Sequence, residues 1–291
     1  MQWQPPKYFF QLYPSQILHI NDASPIIQFT DTNGLGSRIN ADNGNNKLDV
    51  SSKKDVEIFL NLHKPDIILN LAALTDVDGC EQDPERADKI NRKGVMHLCD
   101  GFDGHFIQLS TDYVFDGEDG PYLEDDLTNP ISIYGKSKLD AETYLINSTV
   151  NHTIIRTNVV YSYSTVTSAS FLKWVVQSLK DSKRINVISD QWNNPTSADS
   201  LAHFIQRIAL SGTHGLYHYA DEGLMSRYEF AKLIAKTFEL DSDLIRPILT
   251  SELNQAAPRP LKSGLRTQKI QKELSIVPPT VETSLIQIYK G

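Results

Sequence analysis

Short apolar runs alternate along the middle of the chain with stretches of helical spacing, and each switch of period marks an element. Residues 53–63, KKDVEIFLNLH, space their apolar positions as a helix does, and Lys64-Pro65 stops them. Asp66-Ile-Ile-Leu-Asn-Leu71 then carries no helical period and predicts a buried strand ending at Ala72-Ala73. Asp83 followed by Pro84 and Glu85 predicts a helix start, with the carboxylate as cap and proline in the first turn, for a helix running to Cys99. His105 to Ser110 is a second strand, running into the polar stretch Ser110-Thr111-Asp112.

After a turn-rich segment from Asp116 to Pro130, helical spacing returns over Ile131–Ile146, and Thr153–Thr157 is again a strand. Strands alternating with helices predict an α/β protein with a Rossmann-like, doubly wound parallel sheet, whose ligands belong at the polar strand ends. Beyond residue 160 the pattern loosens, with helices over Phe171–Leu179 and from about Ser197 to Leu210. Ser226 and Glu229 have the spacing of a capping box, ahead of an apolar stripe through Phe230, Leu233, Ile234 and Phe238. The expected division is a dinucleotide-binding domain over residues 1–160 and a smaller substrate-binding lobe over 161–291, with some later segments returning to the main sheet.

Composition narrows the function classes. A net charge of −8 disfavours nucleic acid and anionic membranes as partners, and no run of about 18 apolar residues is present to span a bilayer. The opening MQWQPPKYFF lacks the features of a secretory signal, so a cytoplasmic location is expected. Two cysteines, Cys80 and Cys99, predict reduced structural thiols, and eight scattered histidines with no ligand spacing predict no metal site. A homodimer is left open.

The chemistry concentrates in Tyr134-Gly-Lys-Ser-Lys138. A phenol and an ammonium four residues apart share one helix face, and a neighbouring cation is expected to lower a phenol that otherwise titrates near ~10. Thr111, at the end of the preceding strand, could hydrogen-bond a substrate carbonyl that the phenol protonates. A polarised carbonyl beside a proton source suits hydride transfer.

These residues resemble the dTDP-4-dehydrorhamnose reductases, a family of extended short-chain dehydrogenase/reductases. The resemblance rests on Leu71-Ala-Ala-Leu-Thr-Asp-Val-Asp78, Ser110-Thr-Asp-Tyr-Val-Phe-Asp-Gly117, Pro121-Tyr-Leu-Glu124, Asn129-Pro130 and Tyr134-Gly-Lys-Ser-Lys138. It continues through Arg156-Thr157, Asp190–Thr196, Gly215–His218 with Ser226, and Arg259-Pro260 with Ser263 and Leu265. It implies reduction of the 4-keto group of a nucleotide-linked 6-deoxy sugar by NADPH or NADH. Thr111, Tyr134 and Lys138 would be catalytic. Asp49, Leu71, Ala72 and Ala73, with Tyr134 and Lys138, would hold the cofactor; Thr75 and Tyr113 would face the sugar, and Arg259 its phosphates. Where the family has a tryptophan after the Arg-Thr pair, this chain has Val159, so the motif does not fix the sugar.

The N-terminus departs further. No GxGxxG or GxxGxxG turn occurs, although such a turn normally cradles the pyrophosphate. One register places an eroded turn at Thr30–Ser37. The other makes Lys7–Leu12 the first strand, Ser15–Ile20 a helix and Ile26–Thr30 the second strand, with Leu12–Ser15 as the phosphate turn and Asp31 biasing towards NADH. An active reductase is the favoured reading, and a reductase-like binding or regulatory subunit without turnover is the alternative.

Overall fold

The structure, a computed structural model, describes residues 27–30, 48–163 and 170–290, and of 27–30 the backbone only. The expectations for Lys7–Leu12, Ser15–Ile20, the Leu12–Ser15 turn, Asp31 and the rest of the Thr30–Ser37 turn lie outside the described residues.

The main sheet forms from β1 (Ile27–Thr30), β2 (Ile67–Asn70), β3 (His105–Thr111) and β4 (Asn151–Thr157), later joined by Gly215–His218. β2, β3 and β4 run parallel, with Ile67 opposite His105 and Thr111 opposite Thr157. β1 is antiparallel to β2, Ile27 facing Asn70. That differs from the all-parallel expectation. An edge strand bonds one neighbour only, so its direction is free of the parallel ladder, and mixed sheets commonly carry such an edge.

Successive residues of each strand enter opposite faces, which is why the strands read as unbroken apolar runs. Ile68, Phe106 and Ile154 pack against α1 (Lys53–His63), the helical stretch Pro84–Cys99 and α5 (Ile133–Ile146), in a core with Val56, Leu98 and Leu145. Leu69, Ile107 and Ile155 enter the other face, against Leu201, Phe204 and Ile205. Asp83 caps its helix as expected, its side chain accepting from the Arg86 amide. That helix is not uniform. After α2 (Val77–Gln82), α3 (Pro84–Ala87) leads into a π-helical segment, Asp88–Lys93, before α4 (Gly94–Cys99) resumes.

Beyond residue 160 come β5 (Val160–Tyr161), α6 (Phe171–Lys180), β6 (Ile185–Ile188), β7 (Trp192–Asn193), β8 (Thr196–Ser197) and α7 (Ala198–Ser211). They are followed by β9 (Gly215–His218), β10 (Met225–Ser226), α8 (Arg227–Thr237), β11 (Ile245–Ile248), α9 (Gln268–Leu274) and α10 (Val281–Lys290). The helix expected in the lobe at Ser197–Leu210 is α7, and it packs beneath the main sheet instead, because Leu201, Phe204, Ile205 and Ile208 give it one apolar face matching Ile107 and Ile155. β9 extends the sheet beside β4. The lobe proper is α6, α8, α10 and the parallel pair β6–β11, around Leu172, Val176, Phe230 and Ile234. The capping box opens α8: Ser226 Oγ accepts from the Glu229 amide at 3.1 Å, and Glu229 accepts from the Ser226 amide at 2.8 Å.

Candidate active site

The polar ends of β2, β3 and β4 meet α5 at one edge of the sheet. Ser132 caps α5 by accepting from the Gly135 amide at 3.2 Å, and one further turn brings Tyr134 and Lys138 onto the same face. Gly135 permits the approach. A Cβ there would lie 2.1 Å from the Tyr113 carbonyl oxygen, so only glycine lets the helix rest on the Asp112–Val114 turn.

Thr111, Tyr134 and Tyr113 are brought together. The Thr111 hydroxyl lies close enough to the Tyr134 phenol to lower its pKa, and the rings of Tyr113 and Tyr134 meet edge-on with centroids 5.4 Å apart. Thr111 Oγ1 accepts from the Tyr113 amide at 3.2 Å and donates to Asp112 Oδ1 at 3.0 Å. The other Asp112 oxygen accepts from Ser263 Oγ, tying the C-terminal loop to the end of β3. Burial pushes Asp112 up to about 6, opposed by these hydrogen bonds and by the Arg227 charge.

The expected tuning of the phenol is not what the structure holds. Desolvation raises Tyr134 well above the ordinary tyrosine value, with the Thr111 side chain only partly opposing it. Lys138 spends its ammonium elsewhere, donating to the Leu109 carbonyl at 2.6 Å. It is buried, and desolvation lowers it to about 8 against the raising influence of Glu142. Helical spacing put the two groups on one face, but burial is the largest influence on each. The phenol therefore stays protonated at neutral pH, as a proton donor must.

The loop after β2 holds Leu71, Ala72, Ala73 and Thr75. Asn70 accepts from the Ala72 amide at 3.0 Å and donates to Gln108 at 2.8 Å; Gln108 in turn donates to the Leu109 carbonyl that receives Lys138. Asn91, from the π-helical segment, binds the Leu74 amide at 2.7 Å and donates to Ser137 at 2.9 Å, so it joins this loop to α5. Spacing gave no signal for Asn91, because π turns have no sequence pattern of their own. Asp49 stands apart in the exposed turn leading into α1, accepting from the Ser51 amide, and no hydrogen bond or ion pair joins it to Thr111, Tyr134 or Lys138 among the described residues.

Arg259 is not a solvated loop charge. Its side chain is largely buried, pairs with Asp78 at 3.0 Å and donates to the Ala257 carbonyl. Arg227, at the start of α8, lies over the Phe171 ring at 5.7 Å, and its charge acts on Tyr113, Asp112 and Arg259. Among the described residues it has no ion pair. Both guanidinium charges act on Tyr113, an arrangement suited to an anion. The sequence pointed to Arg259 alone. Val159, just past β4, adopts a left-handed φ of 42°, strained for a β-branched residue.

Comparisons with known proteins point to one family. A family model described as the RmlD substrate binding domain matches residues 31–291. A dTDP-4-dehydrorhamnose reductase of Sinorhizobium fredii is 36% identical over 255 residues, covering 83% of this chain and 85% of that protein. A probable low-salt glycan biosynthesis reductase of Haloferax volcanii is 33% identical, covering 82% of each. Among solved structures, a dTDP-4-dehydrorhamnose reductase of Bacillus anthracis in complex with NADP superposes with a TM-score of 0.79 at 28% identity, covering 84% of this chain and 86% of that one.

Proposed function

This chain belongs to the RmlD substrate binding domain family, and on that footing we propose that it reduces the 4-keto group of a nucleotide-linked 6-deoxy sugar with NADPH or NADH. The observation that carries the reading is the gathering of Thr111 and Tyr134, whose ring meets Tyr113 edge-on, at the carboxyl end of β3. It sets a protonated phenol and a hydroxyl side by side, where a carbonyl oxygen can be polarised and then protonated. The alternative of a binding subunit without turnover has no such use for a partly buried phenol, and the named relatives are reductases.

The residues present fit a dinucleotide. Lys138 is buried with three donor hydrogens and one observed acceptor, which leaves hydrogens for the hydroxyls of a ribose. Ala72 and Ala73 leave room at the end of β2, and Asp49, Leu71 and Tyr134 complete the set we assign to cofactor binding. A bound reduced nicotinamide supplies the hydride. The chain's own residues do the rest: Tyr134 delivers the proton to the developing alkoxide, Thr111 orients the carbonyl, and Lys138 holds its place between Leu109 and the ribose. Tyr113 and Thr75 would face the sugar, and Arg259 with Arg227 would hold its diphosphate.

The test is consumption of NADPH or NADH in the presence of dTDP-4-dehydrorhamnose, with nicotinamide fluorescence followed in a parallel titration. Absence of cofactor binding up to millimolar concentration would overturn the reading.

A further inference from the structure

Glu142 lies one turn beyond Lys138 and two beyond Tyr134 on the same face of α5, and both it and its partner are almost wholly buried. Its carboxylate makes four contacts. Ser110, the residue before Thr111, donates to it from β3. Arg156, on β4, donates from Nε at 3.0 and 3.2 Å and from Nη2 at 2.7 Å. Arg156 is itself held: Nη1 reaches the Glu124 carbonyl and His218 Nε2, both at 3.4 Å, and the guanidinium lies 5.1 Å over the Phe115 ring. Because Arg156 can only donate, His218 accepts at Nε2 and its Nδ1–H donates to the Tyr122 carbonyl.

A buried ion pair is weak evidence for stability, since desolvation offsets much of its attraction. Its placement suggests another role. We propose that Glu142 is a positioning residue for the reaction, docking α5, and with it Tyr134 and Lys138, on β3 through Ser110 and on β4 through Arg156. The assignment rests on the reductase reading for its purpose, but not for its test.

Several charged or titratable groups surround this end of α5. Tyr134 and Glu142 are on the helix itself, Arg156 on β4, Asp112 past the end of β3, Cys80 on α2, and His218 on β9 behind Arg156. Of these, Glu142 is the one whose charge raises Lys138 against its desolvation. Removing that charge while keeping the side-chain volume should therefore move the lysine.

The measurement is the titration of Lys138 in the cofactor-free full chain, read from its Cε shift by NMR on protein labelled with ¹³C-lysine and assigned with Lys138→Met. We expect Glu142→Gln to lower the Lys138 midpoint by about one unit or more, and Glu142→Asp to recover part of the shift. Glu142→Gln leaves Arg156 buried without its partner and can unfold the protein. Glu142→Gln combined with Arg156→Met replaces the pair by neutral groups of similar volume and should fold, with a smaller shift in the same direction. A Lys138 midpoint equal to wild type in the folded variants would overturn the proposal and leave the pair a packing device. A wild-type chain that turns over no nucleotide sugar would overturn the reductase reading alone, because the lysine titration needs neither cofactor nor substrate.

Discussion

The hydroxyl of Thr111 donates to the carboxylate of its neighbour Asp112 at 3.0 Å, which commits the one hydrogen that Thr111 could offer a substrate. A protonated Asp112 no longer needs that hydrogen, and burial pushes this carboxyl up to about 6. The value of kcat/KM should therefore rise as pH falls through about 6, by up to roughly tenfold for one hydrogen bond. Thr111→Val and Asp112→Asn should each flatten this limb. A pH–rate profile on the three proteins decides it, and an unchanged limb in both variants would refute the coupling.

Tyr134→Phe keeps the ring and its edge-on contact with Tyr113 but removes the proton. We expect kcat to fall by at least ~100-fold, with the Kd for NADPH, measured by fluorescence, within about twofold of wild type.

Gly135→Ala puts a methyl group 2.1 Å from the Tyr113 carbonyl, so α5 must move away from the turn that carries Thr111. Overpacking of this kind costs about 1–3 kcal/mol, a loss of several degrees in Tm. The kcat should fall even in protein that remains folded at the assay temperature.

The two arginines should separate in their effects. Arg227 has no ion pair to lose among the described residues, so Arg227→Met should raise KM for the nucleotide sugar about tenfold or more with little change in Tm. Arg259→Met should raise KM and also lower stability by roughly 1 kcal/mol, because Asp78 is left unpaired while it still holds the Ala257 amide. Steady-state kinetics and thermal melts on both variants provide the check.

Acid should weaken the fold through two buried imidazoles. Burial lowers His105 to about 4 and His218 to about 3, so the folded state disfavours the protonated form. The unfolded chain binds these protons near pH 6.5, so the stability they contribute is complete above that value and is lost as pH falls towards 4. For His105 the full loss is on the order of 3 kcal/mol. Urea unfolding from neutral pH downward should show this slope, and His105→Gln should make it shallower.

Much of this was legible in the order of residues. The runs Ile67–Leu69, Phe106–Leu109 and Ile154–Ile155 announced strands buried on both faces, and Ser226 with Glu229 announced the start of α8. Tyr134 and Lys138 were placed on one face by spacing alone. What spacing could not carry was desolvation, a property of everything that surrounds a group, and so the direction of the Tyr134 shift came out reversed. Arg227 escaped notice because its nearness to Tyr113 and Arg259 joins α8 to segments distant in the chain. The strands β6 and β11 escaped because Asn186 in the one, and Arg246 with Pro247 in the other, interrupt their apolar runs.

The π-helical segment Asp88–Lys93 has a consequence for how this chain can vary in length. Such a segment accommodates one residue more than an α-helix would in the same span. Deleting a single residue there would let the helix close into regular turns with its flanks still in phase, but would remove the widened turn that presents Asn91. Asn91 would then swing away from Leu74 and Ser137, unfastening the loop after β2 from α5. In this helix, residue count matters as much as residue identity.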